Sequence, residues 1–254
     1  MKKQIILYMT KDKIQYLISN ESDLRVSEFF DYATLKEKLK EEIKEIKEFN
    51  SDIHVFLDSS LALNHTFNLP RMSQFKANTL TYKELKLMYA NYSNYIVNLT
   101  TKVNAKKYLT IYADLISKDH VHFIQSISKE LKLGKVKIYL VKDIHFNLFG
   151  SESNIVLLND ELGKFNLHMY HKGEYQMLPF DRFDEISFMR NLDTLYAYFK
   201  LLKEESLNFK FMLLSDDQSL IDKHEFLNNL NFEKVSHETL RRQMIQSYTK
   251  VKGF

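Results

Sequence analysis

Three short alternating segments, then an amphipathic helix, then another strand, occur twice along this chain, and that order constrains the fold more than any other feature. Ile5 to Thr10 (IILYMT) and Ile14 to Ser19 (IQYLIS) are β-rich runs separated by Lys11-Asp12-Lys13, a hairpin pattern. Leu24 to Tyr32 (LRVSEFFDY) extends the meander. Thr34, with Glu37 three residues on, has the form of a capping box. The helix it opens places Leu35, Leu39, Ile43, Ile46 and Phe49 on one face, with Lys and Glu opposite. Asp52 to Asp58 (DIHVFLD) returns as a strand.

The second occurrence starts at Asn154 to Asn159 (NIVLLN) and Lys164 to His171 (KFNLHMYH). A turn at Lys172-Gly173 leads to Glu174 to Leu178. A helix from about Arg182 to Glu205 follows, with Phe183, Ile186, Met189, Leu195, Phe199 and Leu202 as its apolar stripe. Then come a strand at Phe209 to Ser215, a helix near Leu220 to Leu230 and a short strand around Val235. Between the two occurrences lies a different pattern. An edge strand at Leu63 to Leu69 is stopped by Pro70. A helical stretch spans about Ser73 to Tyr92, and Asn94 to Thr101 alternates against Lys107 to Ile116 as a hairpin pair. Asp119 is the expected cap of a helix to Leu131, and Lys135 to Val141 is a strand.

Composition narrows the chemistry. Average glycine usage would give about 18 glycines in such a chain; this one has 5, with 2 prolines, so it has almost no glycine for phosphate-cradling loops. The absence of Cys removes disulfides, thiolate metal sites and Cys nucleophiles. Lys+Arg exceed Asp+Glu by 36 to 33, too small a margin for a polyanion-binding chain, so no nucleic-acid partner is expected. No apolar run approaches the roughly 18 residues of a membrane span, and the apolar part of Ile5 to Met9 is too short for a secretory signal. The expectation is a cytoplasmic protein of mixed α/β class.

A meander, helix and strand present in two halves resembles the actin-like (ribonuclease H-like) superfamily. The segment Val55 to Pro70 (VFLDSSLALNHTFNLP), followed by a helix and alternating strands, looks like the small inserted subdomain of the PilM family, which is similar to the cytoplasmic part of GspL. The resemblance implies a two-lobed actin-like fold with an inserted small α+β subdomain. Its first lobe would be residues 1–150, with the insertion at about 60–135. Its second lobe and a C-terminal helix would be 151–254.

The family's nucleotide motifs fall on Thr10 and Lys13 in the first phosphate loop, on Asn159 and Asp160 in the second, and on Ser215 in the adenosine loop. Each departs from the family pattern. The first loop has no glycine, the second reads Asn159-Asp160-Glu161, and the third reads Ser215-Asp216-Asp217. A Cβ in a tight phosphate turn blocks close backbone approach, and one misplaced unit charge at 4 Å costs about 4 kcal/mol at an effective dielectric near 20. The resemblance therefore implies a scaffold with no required cofactor and no catalytic residue, although ATP with magnesium remains open. Its partner would be the N-terminal cytoplasmic peptide of a PilN-like inner-membrane protein, and after it the assembly motor ATPase. The protein would be peripheral at the inner face of the membrane, in a type IV pilus or type II secretion-like system. The alternative is an active ATPase or small-molecule kinase of the same superfamily. Tyr95, Tyr108 and Tyr112 either line a peptide groove by the insertion or pack its own sheet.

Other constellations carry less. His120 and His122 diverge on a helix, and His168 and His171 face opposite sides of a strand, so no metal site is expected. Asp58-Ser59-Ser60 lacks the elbow of a serine nucleophile. Lys36 to Lys47 is a solvated helix face. Arg241, Arg242, Lys250 and Lys252 make the C-terminus basic, which suits a helix end or an anionic surface.

Overall fold

Alternation in the first two segments produces an antiparallel hairpin, β1 (Lys3–Met9) with β2 (Ile14–Ser19), in which Ile5 faces Ile18 and Leu7 faces Tyr16. The computed structural model describes residues 3–19, 24–45, 49–58, 61–104, 108–150, 152–159, 164–171, 174–201, 209–217 and 219–248. The chain divides into two compact units, the first running to Val141 and the second starting at Lys142.

In the first unit, β3 (Leu24–Val26) pairs with β2, and the third segment continues beyond it through Ser27 N, which donates to Tyr16 O at 3.0 Å, and an isolated bridge between Ile14 and Phe30. α1 (Tyr32–Glu45) leads to β4 (Phe49–Leu57), which lies parallel to β1. β8 (Val136–Leu140) adds parallel to β4, so the sheet order is β3-β2-β1-β4-β8. One face of this sheet presents Ile5, Leu7, Met9, Ile53, Val55 and Leu57, all fully buried. They pack against Leu35 and Leu39 of α1 and against Val121, Ile124 and Ile127 of α3 (Lys118–Glu130).

A three-stranded sheet, β5 (Ala62–Pro70), β7 (Tyr108–Ser117) and β6 (Tyr95–Asn104) in the order β5-β7-β6, is inserted between β4 and α3. Pro70 closes β5, which is an edge strand as the sequence predicts. α2 (Gln74–Met88) covers one face, its Ala77 and Leu85 packing on Leu109, Ile111, Ala113 and Leu115.

The second unit repeats the sheet. β9 (Asn154–Asn159), β10 (Phe165–His171) and β11 (Glu174–Pro179) form the antiparallel meander. β12 (Lys210–Leu214) lies parallel to β9, and β13 (Phe232–Val235) parallel to β12. The order β11-β10-β9-β12-β13 is that of the first unit, strand for strand and direction for direction. α5 (Glu185–Phe199) buries Phe188, Leu192 and Leu195 on one face, against Ile155, Leu157, Leu167 and Met169. On the other face, α4 (Val141–Phe149) sets His145, Phe146 and Phe149 against His168 and Tyr170. α7 (His237–Ser247) joins α4 through Asn147 Nδ2, which donates to Ser247 O at 3.4 Å.

Several local expectations are corrected. α1 begins two residues before Thr34, whose hydroxyl donates to Asp31 O at 3.0 Å, so the Thr34–Glu37 box does not form. Tyr32 is held at the helix start because its ring meets Phe123 and its hydroxyl donates to Thr10 O. Ser117, not Asp119, caps α3. α5 is shorter than the predicted helix: Asp184 caps it and Lys200, left-handed at φ 55°, ends it. Its buried row is Phe188, Leu192, Leu195, which leaves Ile186 80% and Met189 47% exposed. The helix near Leu220 is one short α6 (Leu220–Lys223) and a 3₁₀ turn over Glu225–Leu227. α4 was not anticipated from sequence; Gly150 follows it where a Cβ would lie well inside contact distance of Phe146 O. Ile46, Ser59, Ser60, Lys172, Gly173, Leu202, Glu205, Lys250 and Lys252 lie outside the described residues.

Candidate functional site

In open α/β sheets, ligands bind outside the carboxyl ends of the parallel strands, where strand order reverses. In both units the reversal falls at the first strand, β1 or β9, which pairs antiparallel on one side and parallel on the other. The residues singled out in the sequence stand at these ends: Thr10 and Lys13 after β1, Asn159 at the end of β9, Ser215 after β12. Asp160 and Glu161 lie outside the described residues.

In the first unit the loop after β1 closes on itself. Thr10 N donates to Lys13 O at 2.9 Å, Lys13 N donates to Thr10 Oγ1 at 3.2 Å, and Thr10 Oγ1 donates to Lys13 O at 2.9 Å. Tyr32 OH donates to Thr10 O at 2.6 Å. Burial, with the Asp12 carboxylate as a lesser cause, pushes the Tyr32 phenol up to about 12, so it stays a donor. Asp58, after β4, accepts from Tyr8 OH at 3.4 Å.

In the second unit Asn159 and Ser215 are brought together. Asn159 Nδ2 donates to Ser215 Oγ at 3.2 Å, and Asp217 N donates to the same oxygen at 3.1 Å. Ser215 N donates to Val235 O at 3.1 Å. Asp217 Oδ1 accepts from Ser219 N at 3.0 Å and Ser219 Oγ at 2.7 Å, and its Oδ2 meets Lys223 Nζ at 2.7 Å. Lys223 first, and then the Ser219 hydroxyl, hold the Asp217 carboxyl down at about 2. Asn159 Oδ1 is buried with no hydrogen-bond partner among the described residues.

Sequence alone did not single out His237. Its Nε2 donates to Asn159 O at 2.6 Å, its backbone N donates to Asp216 Oδ1 at 2.8 Å, and its Nδ1 lies 3.2 Å from Asp216 Oδ2. The available signal was its place: Ser236-His237 directly follows the last strand, and Ser236 Oγ caps α7 by accepting from Thr239 N at 3.2 Å.

The other candidates separate. His168 faces α4 beside His145, whereas His171 lies on the opposite side against Phe199 and Phe209. Among the described residues no group of three or more His, Cys, Asp or Glu converges, and no helix is long and apolar enough to cross a membrane. Tyr95 packs with Leu85 and Tyr89 on the α2 face of the inserted sheet. Tyr112, on the alternate register, points to the other face, so one groove cannot take both. The side chain of Tyr108 is outside the described set.

No protein-family model matches the chain, and no curated protein does. Solved structures do. The cytoplasmic domain of EpsL, an inner-membrane component of the type II secretion system of Vibrio cholerae, matches with a TM-score of 0.61 at 10% identity, over 99% of this chain and 96% of that one. A chain of the PilM–PilN type IV pilus biogenesis complex matches with a TM-score of 0.62 at 9% identity, over 96% and 94%. A Bacteroides thetaiotaomicron protein with an actin-like ATPase fold and unknown function matches with 0.53 at 11%, over 99% and 96%.

The fold is actin-like. The actin-like topology explains why two sheets of one order recur here, and the resemblance seen in the sequence holds for the fold over nearly the whole chain. The actin-like sheet also explains why Thr10, Asn159 and Ser215 all stand at strand carboxyl ends.

Proposed function

We propose that this protein is a cytoplasmic actin-like scaffold of a type IV pilus or type II secretion-like machine. It binds a short cytoplasmic peptide of a PilN-like inner-membrane protein and does not turn over ATP. The reading is carried by one observation: the duplicated five-stranded sheet with a helix-backed, three-stranded insertion between β4 and β8, in a chain similar end to end to the EpsL cytoplasmic domain and to the PilM–PilN complex. In this reading the protein is peripheral at the inner face of the membrane, and the assembly motor ATPase is its second partner.

Thr10, Lys13, Asn159, Asp160 and Ser215 are then relics of nucleotide-binding loops. The described groups fit a triphosphate poorly. The backbone donors of Thr10, Lys13, Ser215, Asp217 and Ser219 already have partners within their own loops or sheets. Asn159 Oδ1, buried with no hydrogen-bond partner among the described residues, is an acceptor and repels phosphate oxygen. Asp216 and Asp217 add charge of the wrong sign where the superfamily places glycines.

The test is co-purification of the full chain with an inner-membrane platform protein, displaced by a synthetic peptide of that protein's N-terminal segment. Failure to bind any platform segment would overturn the reading. Magnesium-dependent phosphate release abolished by Asn159→Ala would replace it with the ATPase or kinase alternative.

A further inference from the structure

The inner side of α5 buries Phe188, Asn191, Leu192, Leu195 and Tyr196. On the outer side, Ile186, Arg190, Asp193 and Ala197 form one exposed ridge, four, three and four residues apart. Ile186 is 80% exposed, and Met189 and Tyr198, each 47% exposed, stand on either flank of the ridge. Single exposed apolar residues need no explanation, whereas three on the outer half of one helix make a patch.

Along the ridge the order is large apolar, basic, acidic, small. The spacing is the same from either end. A twofold axis at its midpoint, beside Asn191 and Leu192, therefore lays Ile186 of one copy on Ala197 of the other and Arg190 on Asp193, each contact made twice. The large side chain meets the small one, and opposite charges meet. Parallel pairing would set Arg190 on Arg190 and Asp193 on Asp193. Sliding the antiparallel pair by three residues would do the same to one of them, so like-charge repulsion specifies both direction and register.

The two ridge charges cancel, so this face offers no basic excess to an anionic membrane or a nucleic acid. What it complements, in both size and charge, is itself. The helix is 15 residues long, about 22 Å. One helix pair of that length falls below the roughly 1,200 Å² of a stable interface, so the association is a transient one, with a Kd on the order of 100 μM.

We propose that the outer ridge of α5 is a self-association surface, on which a second copy of this chain docks antiparallel about a twofold axis. Ile186 packs on the partner copy's small position 197, and Arg190 and Asp193 make two reciprocal ion pairs at the centre. This goes beyond the scaffold reading and does not rest on it, since no platform protein takes part.

The experiment is sedimentation velocity of the purified full chain at low salt, from about 10 to 500 μM, a range that brackets the expected Kd. A monomer–dimer equilibrium is expected. Arg190→Asp or Asp193→Arg should each weaken it about tenfold, because two attractive contacts become repulsive, and the two exchanges combined should restore it. A monomer throughout, or a dimer that Arg190→Asp leaves intact, overturns the proposal. So does failure of the combined exchange to restore a dimer when every variant is folded by circular dichroism, since the two residues would then not face each other. The chain has no cysteine, so Ile186→Cys with Ala197→Cys supplies the only thiols. Mild oxidation should close that variant into a dimer faster than it links Leu87→Cys on α2, where Leu87 is 81% exposed. Equal rates would mean random collision and would overturn the site. A chain that dimerises in this way but binds no platform segment keeps this proposal and loses the scaffold reading, and a monomer that binds one does the reverse.

Discussion

Asn159 at the end of β9 donates its side-chain amide to Ser215 Oγ after β12, and so ties together two adjacent parallel strands at their carboxyl ends. The same oxygen receives Asp217 N, so Ser215→Ala strands two donors at once. That should destabilise the second unit by about 1–3 kcal/mol, measured by urea unfolding, whereas Ser215→Thr keeps the acceptor and should cost less.

The same contacts predict the nucleotide response. A ligand at 100 times its dissociation constant adds about 2.7 kcal/mol of stability. A thermal-shift titration with millimolar ATP and magnesium is expected to be flat. A saturable rise would show that the internally bonded loops open to phosphate and would contradict the relic reading.

His168 gives the second unit a pH dependence. Its side chain is buried against α4, its Nδ1 hydrogen-bonds Tyr175 OH at 3.1 Å, and burial, reinforced by neighbouring His145, pushes its pKa down to about 3. An unfolded histidine titrates near 6.5. Between about 6.5 and 3 the unfolded chain binds a proton that the folded chain refuses, so stability is full above that window and falls through it. The slope is at most about 1.4 kcal/mol per pH unit. Amide exchange in β10 at pH 7.5 and pH 5 reads this unit apart from buried His54 in the other, whose pKa is also lowered by burial. His168→Gln should flatten the dependence.

Among the described residues, scarce glycine leaves lysine in two left-handed positions, Lys132 at φ 53° after α3 and Lys200 at φ 55° after α5. A Cβ there costs roughly 1–2 kcal/mol; glycine relieves it and gives back part in unfolded-state freedom. Lys132→Gly and Lys200→Gly should each stabilise by about 0.5–1 kcal/mol, seen as a higher midpoint in chemical denaturation.

Leu7 and Leu157 hold the same place in the two sheets, each fully buried in the first strand. Leu7→Ala and Leu157→Ala should each cost about 2–5 kcal/mol. Hydrogen exchange should show the loss centred on the unit that carries the substitution; an equal loss in both would mean that the units unfold as one.

The sequence by itself determined the order of elements. Alternation in IILYMT, IQYLIS, NIVLLN and KFNLHMYH is a local property, because period two sets which side chains share a face wherever the strand goes. From that order came the two halves, the insertion and the actin-like expectation. What the sequence left open was decided by long-range packing. Tyr32 enters α1 ahead of Thr34 because Phe123 and the carbonyl of Thr10, distant in sequence, hold it. Ile186 and Met189 read as part of a stripe but are exposed, because the cap at Asp184 and the sheet beneath Phe188 fix the rotation of α5. Thr10, Lys13, Asn159 and Ser215 were legible as positions, yet their hydrogen bonds were not. A backbone donor's partner depends on how a loop closes, and His237 reaches Asn159 across 78 residues. Only the tertiary structure could reveal that the backbone donors of Thr10, Lys13, Ser215 and Asp217 are satisfied within their own loops and sheet, since hydrogen-bond satisfaction is a property of neighbours in space.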